Sequence, residues 1–310
     1  MKKSATTLSL FQLTELFPTI DHAIRYFEQV RWQGTPICSK CQNIHKITTQ
    51  KKTGTYWCGM CRAYFTVFTN TPLERNKVDA RKWLFAAYLM LTARKGISSM
   101  QLSKELSVQQ RTAWFMLHRL RLACETMPEL LSGVVEIDET FVGGKAKNKH
   151  MKRGGKPSGG QVNQQPVMGF KQRDGKTLAK SIPGTDRLTL WTEIQKTVQQ
   201  GSVLCTDALP AYRGIVRKGY QHEALNHKAN EYVRGMAHTN GIESVWAVLK
   251  RGLAGTFHQV SMKHLDRYVN EFTFRLNEGN CQVDTIDRME SLFQAMPGKR
   301  IMYRDLIAKA

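Results

Sequence analysis

Hydrophobic and polar positions along the chain follow two regimes. Before about residue 127 two stretches have apolar positions recurring every 3.6 residues or so, the helical period. "DHAIRYFEQVRW", residues 21–32, predicts a helix with Asp21 as its N-cap and Ile24, Phe27 and Val30 on one face. The same period runs from residue 79 to about 127, through "ARKWLFAAYLMLTARKG" and "SSMQLSKELSVQQRTAWFMLHRLRLACE". From residue 133 onward short apolar strands alternate with helical patterns, which predicts an α/β domain. No run approaches the roughly 18 uncharged apolar residues of a membrane span. In the opening "MKKSATTLSLFQLTELF", Gln12 and Glu15 break any signal-like apolar core, so an intracellular protein is expected.

Within the second regime, acid interrupts the apolar runs. In "GVVEIDETFVGG", residues 133–144, period 2 sets Glu136, Asp138 and Thr140 on one face of a strand and Val135 and Ile137 on the other. "SVLCTDALPAY", residues 202–212, repeats the pattern: Val203, Leu204 and Cys205 form a buried strand, Asp207 stands where it ends, and Pro210 suits the first turn of a following helix. Acids at the carboxyl ends of neighbouring strands occupy the usual place for a site in an α/β sheet. A third acid, Glu243, lies on the helix predicted for "HTNGIESVWAVLKRG", residues 238–252, whose apolar positions are Ile242, Val245, Trp246 and Leu249. Lys250 follows seven residues later on the same face as Glu243. Three carboxylates can converge on hard divalent cations, which take oxygen ligands, and their repulsion predicts a site that metal organises.

Charge supplies the partner. Lys and Arg number 46 against 25 Asp and Glu, a net +21, which points to a polyanion and above all to nucleic acid. No basic amphipathic anchor helix speaks for a membrane surface. Ser98 or Ser99 caps a helix carrying Met100, Leu102 and Leu106, and "SV" at 107–108 separates it from "QQRTAWFMLHRLR". This is the helix-turn-helix pattern, with Gln109, Gln110, Arg111 and Thr112 at the start of the second helix, where phosphates or base edges are reached. "KAKNKHMKRGGKPSGG", residues 145–160, reads as a basic inserted loop offering Lys145, Lys147, Lys149, Lys152 and Arg153 to DNA.

The seven cysteines are an odd number, and four are tightly paired. Cys38 and Cys41, like Cys58 and Cys61, are spaced C-x-x-C, with 16 residues between the pairs. Two such knuckles aim four thiolates at one point, the sulfur set of a structural zinc. Trp57, Tyr64, Phe65 and Phe68 are expected to supply the small core of this ribbon. Gln42 follows "CSKC" where ribbons often have glycine.

"VEIDETFVGG", "TDALPAY", "HTNGIESVWAVLKRG" and "YVNEFTFRLN" (268–277), preceded by the two C-x-x-C pairs, closely resemble insertion-sequence transposases of the DDE type. The likeness is to the bacterial branch with an N-terminal zinc ribbon, related to eukaryotic Merlin elements, and it runs from about residue 10 to 280. It implies a multidomain α/β protein: an N-terminal helix and zinc ribbon (1–76), a helix-turn-helix DNA-binding region (77–128), and a ribonuclease H-like catalytic domain (129–310) carrying the basic insertion. It implies two Mg²⁺ (or Mn²⁺) ions held by Asp138, Asp207 and Glu243, with Asn240 as the alternative third ligand, and Lys250 on DNA. The activity implied is binding of terminal inverted repeats, metal-dependent strand cleavage and 3′-hydroxyl strand transfer on double-stranded DNA. A homodimer or larger assembly in the cytoplasm, associated with the nucleoid, is the expected form. Two rivals share these features: a domesticated DNA-binding regulator, and a structure-specific nuclease of the same fold.

Overall fold

The computed structural model describes residues 7–125, 129–143, 164–225, 239–277 and 283–308. The chain divides into two compact units, Met1–Thr126 with Glu278–Ala310, and Met127–Asn277. The catalytic domain expected to run on to residue 310 therefore differs at its end, because 278–310 cluster with the N-terminal part. The reason is apolar: Phe293 of helix α9 (Thr285–Gln294) lies 4.6 Å, centroid to centroid, from Phe27 and 6.2 Å from Tyr26.

The N-terminal unit is helical around a three-stranded ribbon. Helix α1 (Leu10–Leu16) opens with a capping box between Ser9 and Gln12. Helix α2 (Ile20–Trp32) is capped by Thr19, whose hydroxyl accepts from the His22 N–H; Asp21, expected as the cap, instead lies in the first turn, where its charge complements the helix dipole. Strands β1 (Ile47–Thr49), β2 (Thr55–Cys58) and β3 (Ala63–Thr66) form an antiparallel sheet. Helix α3 (Ala80–Thr92) is capped by Asp79 and buries Trp83, Leu84, Ala87 and Met90. Helices α4 (Ser99–Glu105) and α5 (Gln110–Ala123) follow, with Ser98 as the cap of α4 and Ser107 in the left-handed region (φ 49°) at the sharp turn between them. The short helix α10 (Tyr303–Ile307) ends the unit.

In the second unit β4 (Val134–Gly143) is the central strand. β5 (Gln164–Gln172) pairs with it antiparallel and β6 (Thr177–Ser181) pairs antiparallel with β5, while β7 (Val203–Asp207) and β8 (Gln221–Leu225) continue in parallel on the other side. The order β6-β5-β4-β7-β8 makes a mixed sheet, antiparallel on the β5–β6 side of β4 and parallel on the β7–β8 side. Val135 and Ile137 face one layer, where Met168, Phe170 and Leu204 meet Leu190 and Ile194 of α6 (Arg187–Thr197). Each such buried side chain contributes about 1.5–3 kcal/mol. The opposite face is covered by α7 (Asn240–Gly252) and α8 (Leu265–Asn277), through Ile242, Trp246, Leu249, Val269 and Phe272. The edge strand β6 is held by α8: Ser181 donates to Asp266, and Asn277 exchanges two bonds with the Thr177 backbone at 2.7 and 2.8 Å. This seals an edge that would otherwise invite pairing. No helix among the described residues is long and apolar enough to cross a membrane.

Candidate active site

Strand register brings the first two acids level. β4 and β7 pair in parallel from Val134↔Val203 to Glu136↔Cys205; counted two residues beyond that pairing, Asp138 corresponds to Asp207, whose charge bears on it. Asp207 ends β7, and its Oδ1 accepts the Leu209 N–H at 3.1 Å. That bond turns the chain into the short 3-10 helix Pro210–Tyr212, with Pro210 in its first turn as expected.

Helix α7 carries the third acid. Its apolar stripe is buried, while Asn240, Glu243 and Lys250 lie on the exposed side. Two contacts lock its position over β4. At its start the Ile242 N–H donates to Glu136 Oε2 at 3.0 Å, and one turn later Trp246 Nε1–H donates to Asp138 Oδ2 at 3.0 Å. The helix comes this close because Gly169, opposite Asp138 on β5, has no side chain: a Cβ there would meet Trp246 Cζ2 at 2.5 Å and Ile242 Cδ1 at 2.7 Å. Gly241 is equally constrained, since a Cβ would lie 2.7 Å from Glu136 Oε2. Glu136 is only 1% exposed and also pairs with Arg173 Nε at 3.3 Å.

The acids share one field. Burial lifts the Asp138 carboxyl to about 6; the charges of Asp207 and Glu243 push the same way, and hydrogen bonds from the Glu139 backbone and Trp246 oppose them. On the other face of β4, burial raises Glu139 to about 7, against the pull of the Tyr212 hydroxyl that donates to it. Glu243 Oε1 accepts the Thr239 hydroxyl at 3.1 Å. The three acids do not gather as tightly as the cysteines: among the described residues, only Cys38, Cys41, Cys58 and Cys61 form a set of three or more such ligands within 4.8 Å of one another. An all-oxygen set of this kind suits a hard divalent ion.

The four sulfurs stand as zinc needs them. Cys38 Sγ lies 3.5 Å from Cys61 Sγ, and Cys41 Sγ 3.6 Å from Cys58 Sγ; a tetrahedron with Zn–S bonds of about 2.3 Å has edges of about 3.8 Å. Gln42 takes φ 58° and Arg62 φ 48°, so each knuckle closes through a left-handed residue after its second cysteine, without glycine. The ribbon core differs from expectation. Phe65 is buried and stacks on Tyr56 beneath Trp32, and Phe68 packs on Phe27. Trp57 and Tyr64 instead pair at 4.7 Å on the other side of the sheet, with Tyr64 63% exposed. Burying Cys58 fixes the alternation, so Tyr56 shares its layer with Phe65 and Trp57 cannot.

The residues expected on DNA are placed as follows. Gln109 is the N-cap of α5 and exposed. Gln110 Nε2 donates to Ser99 Oγ at 2.8 Å, tying α5 to α4, and the Arg111 guanidinium lies over the Tyr303 ring at 4.4 Å. Lys250 is exposed in the last turn of α7. Lys145, Lys147, Lys149, Lys152 and Arg153, and the 145–160 segment that holds them, lie outside the described residues.

Sequence reasoning gave Glu136, Gly169 and Trp246 no part in the site. A glycine inside the apolar strand "PVMGF" is the usual mark of a close backbone approach, and that signal was present.

Two family models match the chain: an ISXO2-like transposase domain over residues 130–277 and a transposase zinc-ribbon domain over residues 18–64. A protein of Halobacterium salinarum, described as an uncharacterized protein in transposable element ISH50, is 25% identical over 265 residues, which cover 82% of this chain and 89% of that protein. Among solved structures, a chain of the simian T-cell lymphotropic virus intasome in complex with PP2A regulatory subunit B56 gamma is similar at 12% identity and TM-score 0.31, covering 67% of this chain and 72% of its own. A chain of the Mos1 strand transfer complex is similar at 12% identity and TM-score 0.31, covering 68% and 76%.

Proposed function

The chain belongs to the DDE-type insertion-sequence transposases with an N-terminal zinc ribbon, and from that premise we propose which residues perform the reaction and on what. It binds the terminal inverted repeats of its element, cleaves the DNA strand there in a metal-dependent step, and transfers the freed 3′-hydroxyl to target DNA. Asp138, Asp207 and Glu243 would hold two Mg²⁺ or Mn²⁺ ions, and Cys38, Cys41, Cys58 and Cys61 one structural zinc. The observation that supports this reading is that Asp207, at the end of the strand parallel to β4, and Glu243, on α7, both lie close enough to bear on the Asp138 charge.

Paired ions supply a polarised phosphate, an activated attacking oxygen and a neutralised leaving oxygen. The residues of this chain do the rest. Asp207 is steered by the Leu209 N–H and Asp138 by the Trp246 N–H. Glu243 reaches in from α7, with Asn240 one turn earlier as the alternative ligand. Lys250, two turns along the same exposed side, meets a phosphate of the bound strand. Gln109, Gln110 and Arg111 at the start of α5, the ribbon, and the basic segment 145–160 hold the element end. Joining two ends requires both in one assembly, so the working form is a dimer or larger on DNA, acting in the cytoplasm at the nucleoid.

The test incubates the full-length protein with Mg²⁺ and duplexes bearing the element's ends. End cleavage followed by 3′-end joining is expected. Binding without cutting overturns the reading in favour of a regulator, and cutting of branched DNA without joining overturns it in favour of a nuclease.

A further inference from the structure

We propose that Trp246 and Glu136 are positioning residues of the acidic site: Glu136 pins the start of α7, and Trp246 fixes the orientation of the Asp138 carboxylate. The inference rests on Asp138 being a metal ligand. Ile242, which donates to Glu136, and Trp246, which donates to Asp138, bracket Glu243 on the helix, so the third acid is held from both sides. Both bonds join residues more than a hundred positions apart, with separations of 106 and 108. The indole packs directly on Gly169, so close that a Cβ there would lie 2.5 Å from its Cζ2. Its N–H therefore holds Oδ2 in one place and presents a fixed carboxylate to an incoming ion.

Packing alone does not explain either residue. A phenyl ring fills much of the same slot without a donor, and a buried Glu–Arg pair gives little stability over apolar side chains of similar volume. Both acceptors are carboxylates of the same strand face, Glu136 and Asp138, and both donors come from one helix. This is the arrangement expected where outer groups orient a ligand, and removal of such groups typically costs about 10–100-fold in metal affinity.

The experiment measures Mn²⁺ binding by calorimetry, with melting and end cleavage, on full-length wild type, W246F, E136L and D138N; leucine at 136 removes the acceptor of the Ile242 N–H, which glutamine would keep. W246F and E136L are expected to bind Mn²⁺ at least about tenfold more weakly and to cleave more slowly, with E136L also melting lower. Wild-type Mn²⁺ affinity in both variants, whatever their melting, overturns the inference. D138N separates it from the reading beneath. If D138N binds Mn²⁺ as the wild type does, the ligand assignment itself fails. If D138N loses binding while W246F and E136L keep it, the assignment stands and the positioning role falls. Should either variant not fold, the other decides in the same terms.

Discussion

Gly169→Ala adds one methyl group at the point where α7 comes nearest the sheet. Ordinary contact begins near 3.4 Å, and the new Cβ would lie 2.5 and 2.6 Å from Trp246 ring carbons and 2.7 Å from Ile242 Cδ1. Ile242 Cδ1 ends a side chain that can rotate away, but the two Trp246 atoms belong to a rigid ring. The Trp246 ring is held by its bond to Asp138, and Ile242 is anchored at its backbone by Glu136. The helix must therefore retreat by about 1 Å, the overlap left by the two contacts with the Trp246 ring, and it carries Glu243 with it. Misplacement of that size at a reacting centre costs on the order of 10²-fold in rate. Overpacking costs about 1–3 kcal/mol, which lowers the melting temperature of a domain this size by roughly 2–10 °C. The assay follows single-turnover cleavage of end DNA at saturating Mg²⁺, alongside a thermal melt and a binding titration. End binding should be largely retained, because the ribbon and the α4–α5 turn lie in the other unit and a shift of about 1 Å leaves the exposed Lys250 within reach of a phosphate. A variant that cleaves within about twofold of the wild type and melts at the same temperature refutes the claim that close approach of α7 sets the site.

Three further outcomes are expected. Cys58→Ser removes one of four sulfurs, so purified protein should lose its one equivalent of zinc and the ribbon should unfold, since metal binding and folding are one free energy in such modules; retained zinc by metal analysis contradicts this. Because burial lifts Asp138 from 3.8 to about 6, protons compete with metal from pH 6 downward, and Mn²⁺ affinity by calorimetry should fall about fivefold between pH 6 and pH 5 as the ionised fraction drops from about one half to about one eleventh; equal affinity at both values shows that Asp138 is not a ligand or is not so perturbed. Replacing Lys145, Lys147, Lys149, Lys152 and Arg153 with neutral residues should flatten the dependence of DNA affinity on salt, each lost phosphate contact reducing the log–log slope by about 0.9; an unchanged slope makes the segment a linker.

Features that depend on local spacing were legible in the chain. The two C-x-x-C pairs give the sulfur cluster, "SV" at 107–108 falls in the break between α4 and α5, and Asp138, Asp207 and Glu243 land on β4, at the end of β7 and on α7. What was not legible depends on contacts far apart in sequence. A buried glutamate in a strand looks the same whether it binds metal or a helix start, and only the fold shows Glu136 meeting Ile242 across 106 residues. Residues 283–308 carry a helical pattern that fits either unit, and the aromatic contacts of Phe293 decide it. Trp57 is a different case: alternation from a buried Cys58 already points it outward, and its apolar character misleads.

The central claim is that Asp138, Asp207 and Glu243 together hold the ions that cut DNA. Its most direct test measures Mg²⁺-dependent end cleavage and end binding side by side for Asp138→Asn, Asp207→Asn, Glu243→Gln and Asn240→Ala. The account predicts that each of the three acid variants binds ends like the wild type and cuts none, because each loses one anionic oxygen from the metal cage and nothing else, while Asn240→Ala still cuts. Cleavage that survives in any acid variant contradicts it, and loss in Asn240→Ala with retention in Glu243→Gln would move the third ligand one turn back along α7.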